Sequence, residues 1–396
     1  MRIHKNYIRF LFLISISFLS FFMIVPSGTS YEMLWKYKAT DRIREVAISD
    51  DGSTIVAVGY DEKVHLFSTE DPTPIWSRQT DRSLSAADIS SQGDYIIAGA
   101  TNGWVHFFGK DSSVPLWSYK TGYTVNSVAI NPDGSFMLAG SNDNRLYLFD
   151  RTGLVWRYGA GKSIESVAIS DEGNTIAAVT YSGDNGRVYV FDKTSNTPLW
   201  YYDCRSSFSV AISSNGDYIV SGSGRNYPDI IPEGEVAVFH RSSNTPIWTY
   251  DASSTIGNVA ISSDGKLIAA SCADDTFFFF NRQSSTPVWT QPLQDYPKDL
   301  AMSHDGKFVV IGLKSDNILS FDISAKFKMW DLSFQSDIES VDISSDGGYV
   351  VASDHSGNLF LFSNTSLNLI VSITAITGIV IILITTGIVI WLKRKR

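Results

Sequence analysis

One pattern, repeated about every 41 residues, constrains this 396-residue chain more than any other feature. A short apolar run precedes a turn that ends in glycine, as in Asn131-Pro132-Asp133-Gly134. Two further markers keep the same period: a tryptophan after an aliphatic residue, and a phenylalanine at the end of an apolar run. A repeat of this length predicts one supersecondary unit per propeller blade. The glycines are Gly52, Gly93, Gly134, Gly173, Gly216, Gly265, Gly306 and Gly347; the tryptophans are Trp35, Trp76, Trp117, Trp156, Trp200, Trp248, Trp289 and Trp330; the phenylalanines are Phe67, Phe108, Phe149, Phe191, Phe239, Phe280, Phe321 and Phe362.

Each repeat holds four apolar segments, which we name a, b, c and d and predict to be β-strands. Val128 to Ile130 and Phe136 to Ala139 flank the glycine turn, and Leu146 to Phe149 follows a polar turn. An Asp-Gly turn supplies the positive φ of a tight hairpin between a and b. A proline stands before segment d in five repeats, which suits an outer edge strand because an edge tolerates a missing N–H.

The two ends of the array predict how it closes. Trp35 belongs to a segment d with no a, b or c before it, and the last repeat ends at Phe362 without a segment d. Pairing these ends completes an eighth blade and removes the open edge that an unclosed sheet array would expose. We therefore expect an all-β, eight-bladed β-propeller of four-stranded blades over residues 31–363, closed by its N-terminal strand.

Hydrophobic segments flank the repeats. Residues 1–30 begin with basic residues, continue as an apolar block and end in small residues, which predicts a signal peptide or an uncleaved signal anchor. Residues 369–392 carry no charge and are long enough for one transmembrane helix. Residues 364–368 would form a stalk, which includes the glycosylation sequon at Asn364, and the basic tail 393–396 would be cytoplasmic. The expected location is the cell membrane, single-pass, with the propeller on the extracytoplasmic side.

The charge between these segments argues against nucleic acid as a partner. Neither residues 1–30 nor 367–396 contain Asp or Glu, which leaves 25 basic and 41 acidic residues between them and a net charge of −16. A surface of that sign repels phosphate backbones. Cys204 and Cys272 are too few for a disulfide framework, and whether they form one bridge stays open.

Two known repeat families are similar to these units. Val128-Ala129-Ile130-Asn131-Pro132-Asp133-Gly134 and Leu146-Tyr147-Leu148-Phe149-Asp150 resemble WD40 repeats, with Phe where that family has Trp before Asp. Thr197-Pro198-Leu199-Trp200 is more similar to the PQQ-type propeller repeat. The resemblance covers about residues 33–362 and implies the fold rather than a function. The Gly-His pair of WD40 repeats is absent, so we expect that family's hydrogen-bond network to be altered.

Strand direction predicts which face binds a partner. If a starts at the top face, strand c ends at the bottom face, and the short stalk after Phe362 would turn that face toward the bilayer. The longest repeat gains its extra residues in a top loop, residues 224–234, and loops carry functional variation on rigid scaffolds. The predicted top-face binding residues are Arg44, Arg82, Tyr123, Glu165, Arg205, Arg225, Tyr227, Asp229, Tyr296, Lys298 and Glu339. Asp88 and Asp342 replace alanine in strand a, which makes them either hydrogen-bonded structural carboxylates or ion or ligand contacts in the channel.

Catalytic motifs are lacking in the sequence. The histidines after the first segment fall in different repeats, and neither a paired metal spacing nor a nucleophile elbow occurs. We expect no catalytic residue, no cofactor and no metal. The leading hypothesis is a membrane-tethered recognition or assembly scaffold for a protein, peptide or glycan. The alternative, which the repeat resemblance implies, is a PQQ-type quinoprotein oxidoreductase.

Overall fold

Eight four-stranded antiparallel sheets form the described part of the protein. The computed structural model describes residues 31–183, 185–225 and 233–363. Within each sheet the strands follow the order a, b, c, d from the axis outward. The predicted all-β, eight-bladed propeller is therefore confirmed. The predictions for residues 1–30 and for residues 364–396, including the transmembrane helix and the sequon, lie outside the described residues.

The first four blades contain sixteen strands. Blade one comprises β2 (Ile43–Ile48), β3 (Thr54–Gly59), β4 (Lys63–Ser68) and β5 (Asp71–Gln79); blade two β6 (Leu84–Ile89), β7 (Tyr95–Ala100), β8 (Trp104–Gly109) and β9 (Trp117–Lys120); blade three β10 (Val125–Ile130), β11 (Phe136–Ser141), β12 (Arg145–Asp150) and β13 (Gly153–Gly159); blade four β14 (Ser163–Ile169), β15 (Ile176–Tyr181), β16 (Gly186–Phe191) and β17 (Trp200–Cys204).

The other four blades include the first strand of the chain. Blade five comprises β18 (Ser206–Ile212), β19 (Tyr218–Gly224), β20 (Gly234–His240) and β21 (Trp248–Ala252); blade six β22 (Ile256–Ile261), β23 (Leu267–Cys272), β24 (Thr276–Asn281) and β25 (Trp289–Pro292); blade seven β26 (Pro297–Met302), β27 (Phe308–Leu313), β28 (Asn317–Asp322) and β29 (Phe327–Ser333); blade eight β30 (Ile338–Ile343), β31 (Tyr349–Asp354), β32 (Asn358–Ser363) and β1 (Glu32–Lys38).

Blade eight closes the ring. Its outer strand β1 pairs antiparallel with β32, with Glu32 opposite Ser363 and Trp35 opposite Leu361. The predicted pairing of the first and last segments is thus confirmed. We call the end of the ring that carries the a–b turns and c–d loops the bottom face, and the end that carries the b–c and d–a loops the top face.

The glycine of the a–b turn has two physical reasons to be glycine. Gly134 has a φ of +68°, which side chains with a Cβ adopt at a cost. A Cβ at this position would also stand 2.5 Å from Cδ2 of Tyr95 in the preceding blade. The turn residue Asp133 accepts the backbone N–H of Ser135 at 2.8 Å. The turn therefore fits both its own hairpin and the neighbouring blade.

The repeated tryptophan links one blade to the next. In five blades the indole Nε1 donates to a backbone carbonyl in the c–d loop of the following blade, for example from Trp76 to Lys110 at 2.7 Å and from Trp35 to Thr69 at 2.9 Å. The same rings pack on the buried phenylalanine of that blade, as Trp76 does on Phe108 with ring centroids 5.4 Å apart. The other three donor–acceptor pairs are Trp156–Lys193, Trp200–Arg241 and Trp248–Arg282.

A ring of hydrogen bonds surrounds the axis at the bottom face. In six blades the second residue after strand a donates its backbone N–H to the carbonyl of the equivalent residue in the next blade, as His304 N does to Ser345 O at 3.1 Å. In blade one Asp51 N donates to Ser91 O at 3.2 Å. Pro132 has no N–H to donate, and the neighbouring Asn131 Nδ2 instead donates to Asp171 O at 3.0 Å. All eight blade junctions are therefore bridged, including the Ser345 N to Asp50 O bond of 3.2 Å that joins the last blade to the first.

No segment of the described ranges forms a helix long and apolar enough to span a bilayer. Cys204 and Cys272 are both free thiols, the first half-buried and the second buried. Burial raises the pKa of each thiol to about 12, so both are protonated and poorly reactive at neutral pH.

Candidate functional site

In each strand a, the residue two positions before the central buried valine, alanine or leucine lies where the channel opens at the top face, as Arg44 does before Val46. These eight positions form a ring of mixed chemistry around the mouth, which we call the top mouth. Four were predicted as binding residues, and Phe208 of blade five was not singled out by sequence reasoning. The ring consists of Arg44, Ser85, Asn126, Glu165, Phe208, Gly257, Lys298 and Glu339.

A charge cluster centred on Glu339 spans three blades of the top mouth. The side chain of Glu339 is only 5% exposed, and its Oε1 lies 2.8 Å from His355 Nδ1. Its Oε2 lies 3.3 Å from Arg42 Nη2 and 3.6 Å from Lys298 Nζ. Glu339 and Lys298 were predicted, whereas Arg42 and His355 were missed because they stand in loops outside the repeated strand positions. A buried carboxylate needs such partners, so the cluster has a structural role in addition to any recognition.

Three cations lie in this part of the top mouth. The Arg42 guanidinium lies over the Tyr60 ring, 4.8 Å from its centroid, and Arg44 Nη1 is 3.5 Å from the Tyr60 hydroxyl. Arg42 and Lys298 also contact Glu339, on a domain that is acidic as a whole. This part of the mouth favours an anionic group on a partner.

On the other side of the top mouth, Glu165 is hydrogen-bonded to uncharged side chains. Ser163 Oγ donates to Glu165 Oε1 at 2.8 Å, and Asn126 Nδ2 lies 3.4 Å from the same oxygen. Asn126 Nδ2 also donates to Asn142 Oδ1 at 2.7 Å. The predicted residue Glu165 is therefore satisfied within its own and the preceding blade, and it lies apart from the Glu339 cluster.

Two predicted arginines flank the long loop of blade five. Arg205 forms an ion pair with Glu233, the first described residue after the gap. The backbone N of Arg225 donates to Glu233 O at 3.1 Å, so the two ends of this loop are held together. Tyr227 and Asp229, also predicted, lie outside the described residues. The remaining predicted residues stand separately: Arg82 and Tyr123 are exposed, Tyr123 to 69%, and Tyr296 is half-buried.

Asp88 and Asp342 link neighbouring blades inside the channel. Asp342 Oδ2 accepts the backbone N–H of Ile48 in blade one at 2.8 Å, and Asp88 Oδ2 accepts that of Ile130 in blade three at 2.9 Å. Each also accepts the N–H of its own following residue at 2.8 Å. Burial raises the pKa of both carboxyls to about 7. These bonds favour the hydrogen-bonded structural interpretation of the two aspartates.

Two further carboxyls in the channel were not predicted. Asp299 of blade seven makes the same kind of bridge, since its Oδ2 accepts the N–H of Val341 at 2.9 Å. Glu45 of blade one occupies the corresponding strand position, and burial together with the charge of Asp299 raises its pKa well above the usual value. They were missed because they lie directly after the top-mouth residue of strand a, where other blades carry serine, alanine or asparagine.

A cavity of about 280 Å³ lies at the bottom end of the same channel. Eight aliphatic side chains surround it, seven isoleucines and Met302, and Asp88 and Asp342 also reach it. At its rim His304 Nε2 lies 3.1 Å from Asp50 Oδ1, and this contact raises the pKa of His304. This axial cavity is thus at the opposite end from the predicted binding residues.

Blade one contains a buried hydrogen-bond network around His65. His65 Nε2 lies 2.7 Å from Asp61 Oδ2, and His65 Nδ1 lies 2.7 Å from Ser77 Oγ. The side chains of His65 and Asp61 are both 1% exposed. Although the residue types match those of a hydrolase triad, both imidazole nitrogens are held inside the blade, which indicates a structural role. In blade three Tyr147 takes the place of His65 and donates to Asp143 at 2.5 Å.

Within the described ranges, no three His, Cys, Asp or Glu side chains are grouped so that they could hold a metal ion.

Two family profiles match the chain, and both describe propeller repeats. The family profile described as outer membrane protein assembly factor BamB matches residues 184–395, more than half of the chain. The profile of the WD domain, G-beta repeat, matches residues 113–150, which include most of blade three. The resemblance to WD40-like and PQQ-like propeller repeats is therefore confirmed. No curated protein matches the chain.

Proposed function

Because the chain belongs to the family of outer membrane protein assembly factor BamB, we propose that it is a membrane-tethered, non-enzymatic scaffold. Its top face would bind a protein or peptide partner outside the cytoplasm. The family description names an assembly factor, and a propeller that presents varied loops on a rigid ring suits that role.

The observation that carries the proposal is the group of cations at the top mouth. Arg42 and Lys298 contact the buried carboxylate of Glu339, and Arg42 and Arg44 both contact Tyr60. Surface charge of one sign on an otherwise acidic domain selects a partner of the opposite sign and speeds its encounter. A partner segment that presents Asp, Glu or an anionic glycan group fits this part of the mouth.

The position of the end of β32 supports the proposed tether. β32 ends at Ser363 on the bottom face, and the uncharged run 369–392 follows after five intervening residues. An anchor attached there leaves the top face turned away from the bilayer, where a partner can approach it.

The binding face can be tested by photo-crosslinking in the full-length, membrane-bound protein. A photoreactive residue at Tyr123, which is 69% exposed at the top face, is compared with one at Lys266, whose side chain is 65% exposed at the bottom face. We expect a discrete crosslinked partner from Tyr123 alone. Crosslinks from Lys266 without any from Tyr123 would overturn the proposed face.

The charge requirement has its own matched control. Arg44→Gln with Arg82→Gln removes top-face charge without disturbing the buried Glu339, and Lys266→Gln with Lys307→Gln removes equal charge from exposed bottom turns. We expect the first pair to lower the Tyr123 crosslinking yield several-fold and the second pair to leave it unchanged. Titration of the same protein with pyrroloquinoline quinone and calcium tests the non-enzymatic part, and tight stoichiometric binding would contradict it.

A further inference from the structure

The two hydrophobic flanks of the sequence join the propeller at one point. Glu32, at the start of β1, lies opposite Ser363, at the end of β32, and both are at the bottom face of blade eight. The apolar residues 10–25 precede the first of these positions, and the apolar run 369–392 follows the second. Five residues separate Ser363 from Leu369 and reach about 20 Å at most when fully extended. Any membrane attachment through these segments therefore acts on one corner of the ring.

Four exposed apolar residues lie at or near the bottom ends of the outer strands of blades seven and eight, at this corner. Tyr31, Met33 and Leu34 are 43%, 50% and 39% exposed, and Phe327, the first residue of β29 in blade seven, is 46% exposed. The Tyr31 ring lies 5.9 Å from that of Trp330 in the same strand β29, so blades seven and eight meet here. We name Tyr31, Met33, Leu34 and Phe327 the corner patch.

The corner patch departs from the repeat at Met33 and Phe327, whereas an exposed aliphatic residue at the position of Leu34 recurs in six other blades. Proline occupies the position of Met33 in five other blades, and no other blade begins its outer strand with phenylalanine. Lys326 precedes Phe327 in the c–d turn, and its Nζ donates to Val288 O of blade six, so it does not belong to the patch. Exposed tyrosine, phenylalanine, methionine and leucine form the composition that interfacial protein segments present to lipid.

The remainder of the bottom face does not suit a lipid surface. Its a–b turns carry exposed or partly exposed carboxylates in most blades, and only some of these pair with a lysine of the same turn, as Asp264 does with Lys266. Anionic headgroups repel such a ring of carboxylates. Flat contact of the whole face is therefore less favourable than contact at the corner.

From these observations we infer that the propeller contacts the bilayer surface through the corner patch, tilted so that blade eight is lowest and blade four is raised. This inference rests on the proposed membrane tether and adds the lipid-contacting surface and the orientation. The tilt turns the top mouth sideways, which would make it accessible to partners that lie along the membrane.

Spin labels on the full-length chain test the inference. Met33→Cys and Phe327→Cys are placed in a Cys204→Ser, Cys272→Ser background, with Leu199→Cys as the matched control. Leu199 is 50% exposed, precedes the tryptophan of its own repeat and lies in blade four, across the ring. The proteins are reconstituted in phosphatidylcholine vesicles with a minor fraction of phosphatidylglycerol. Collision with a water-soluble nickel chelate and with oxygen is measured for each label.

We expect labels at 33 and 327 to be several-fold less accessible to nickel and more accessible to oxygen than the label at 199. Equal protection of all three labels would mean flat contact and would overturn the corner orientation. Equal aqueous exposure of all three on a vesicle-bound chain would overturn the patch as a lipid contact. Protection that persists in detergent together with a dimeric mass would assign the patch to a second copy. A chain that alkaline carbonate extracts from vesicles would instead contradict the tether itself.

Discussion

The carboxylate of Asp342 in blade eight lies 2.8 Å from the backbone nitrogen of Ile48 in blade one, so a titratable side chain bridges the junction where the ring closes. Asp88 makes the equivalent bridge between blades two and three. Other blades carry alanine at this strand position. The contacts between these blades therefore depend on the protonation of the two aspartates. Alanine, the residue of the other blades at this position, is the natural control substitution.

The first prediction is that Asp88→Ala combined with Asp342→Ala changes the pH dependence of stability. Burial raises the pKa of each carboxyl from 3.8 to about 7 in the folded state. The folded protein thus holds more protons than the unfolded chain between these values. Their stabilising contribution is full below pH 3.8 and is lost as the pH rises through about 7.

Thermal unfolding of both proteins across this pH range measures the effect. We expect the melting temperature of the wild type to fall relative to the double variant as the pH rises, because ionised Asp88 and Asp342 then share the channel with Asp299 and Glu45. Parallel curves for the two proteins would show that these carboxyls titrate alike in both states.

A second prediction concerns the tryptophan links. Trp76→Phe removes an indole that donates to Lys110 O, whereas Trp117→Phe removes a buried indole N–H for which the described residues offer no acceptor. Both variants replace an indole ring by the smaller phenyl ring. We expect Trp76→Phe to be more destabilising by about 1 kcal/mol, the net value of one hydrogen bond. Urea unfolding measures the free energy of unfolding of both variants. Equal losses would mean that tryptophan stabilises the blades through packing alone.

The third prediction concerns one side-chain bond of the axial ring. Every other blade carries serine at the position of Asn131, and its hydroxyl accepts the same turn N–H that Asn131 Oδ1 accepts from Phe136. Asn131→Ser therefore keeps this local bond and loses the link to Asp171 O, together with a 3.1 Å bond to Ser135 Oγ within the turn. We expect a loss of about 1 kcal/mol for Asn131→Ser and about twice that for Asn131→Ala. Chemical denaturation measures the loss of stability of both variants. If Asn131→Ser is as stable as the wild type, the bond from Asn131 to Asp171 O does not stabilise the protein.

The fourth prediction uses two glycines of blade three. Gly134→Ala forces a Cβ into a positive-φ turn and against Tyr95, which we expect to cost about 1–2 kcal/mol or more. Gly159→Ala meets no atom within 4 Å, and restricting the unfolded chain should stabilise the protein by about 0.4–1 kcal/mol. Differential scanning calorimetry of the two variants should move the melting temperature in opposite directions, and two shifts of one sign would contradict the turn argument.

The repeat contained enough information to predict the fold. The period of Trp, Gly and Phe set the number of blades, and the orphan segment at Trp35 predicted the pairing of β1 with β32. These are properties of single repeats and of their order, which a sequence displays directly. The acceptor of each indole could not be predicted, because it is a backbone carbonyl whose position depends on how two blades stack.

The site was less predictable for a related reason. Glu339 and Lys298 occupy a repeated strand position and were found from it, but their partners Arg42 and His355 stand in loops of variable length. Arg42 and Glu339 are almost a full circuit apart in the chain, so only closure of the ring brings them together. Asp299 and Glu45 were missed because their position is polar in other blades and did not look exceptional.

The pairing of β1 with β32 also sets an order of events during biosynthesis. The strand that emerges first remains without its partner until the last blade has been made, while the inner blades can already form their local hairpins. Until then both ends of the array expose backbone groups that can pair with other chains. Chaperones that hold unfinished chains would therefore be needed longest for β1, and a nascent chain stalled before blade eight would be the species most prone to aggregate.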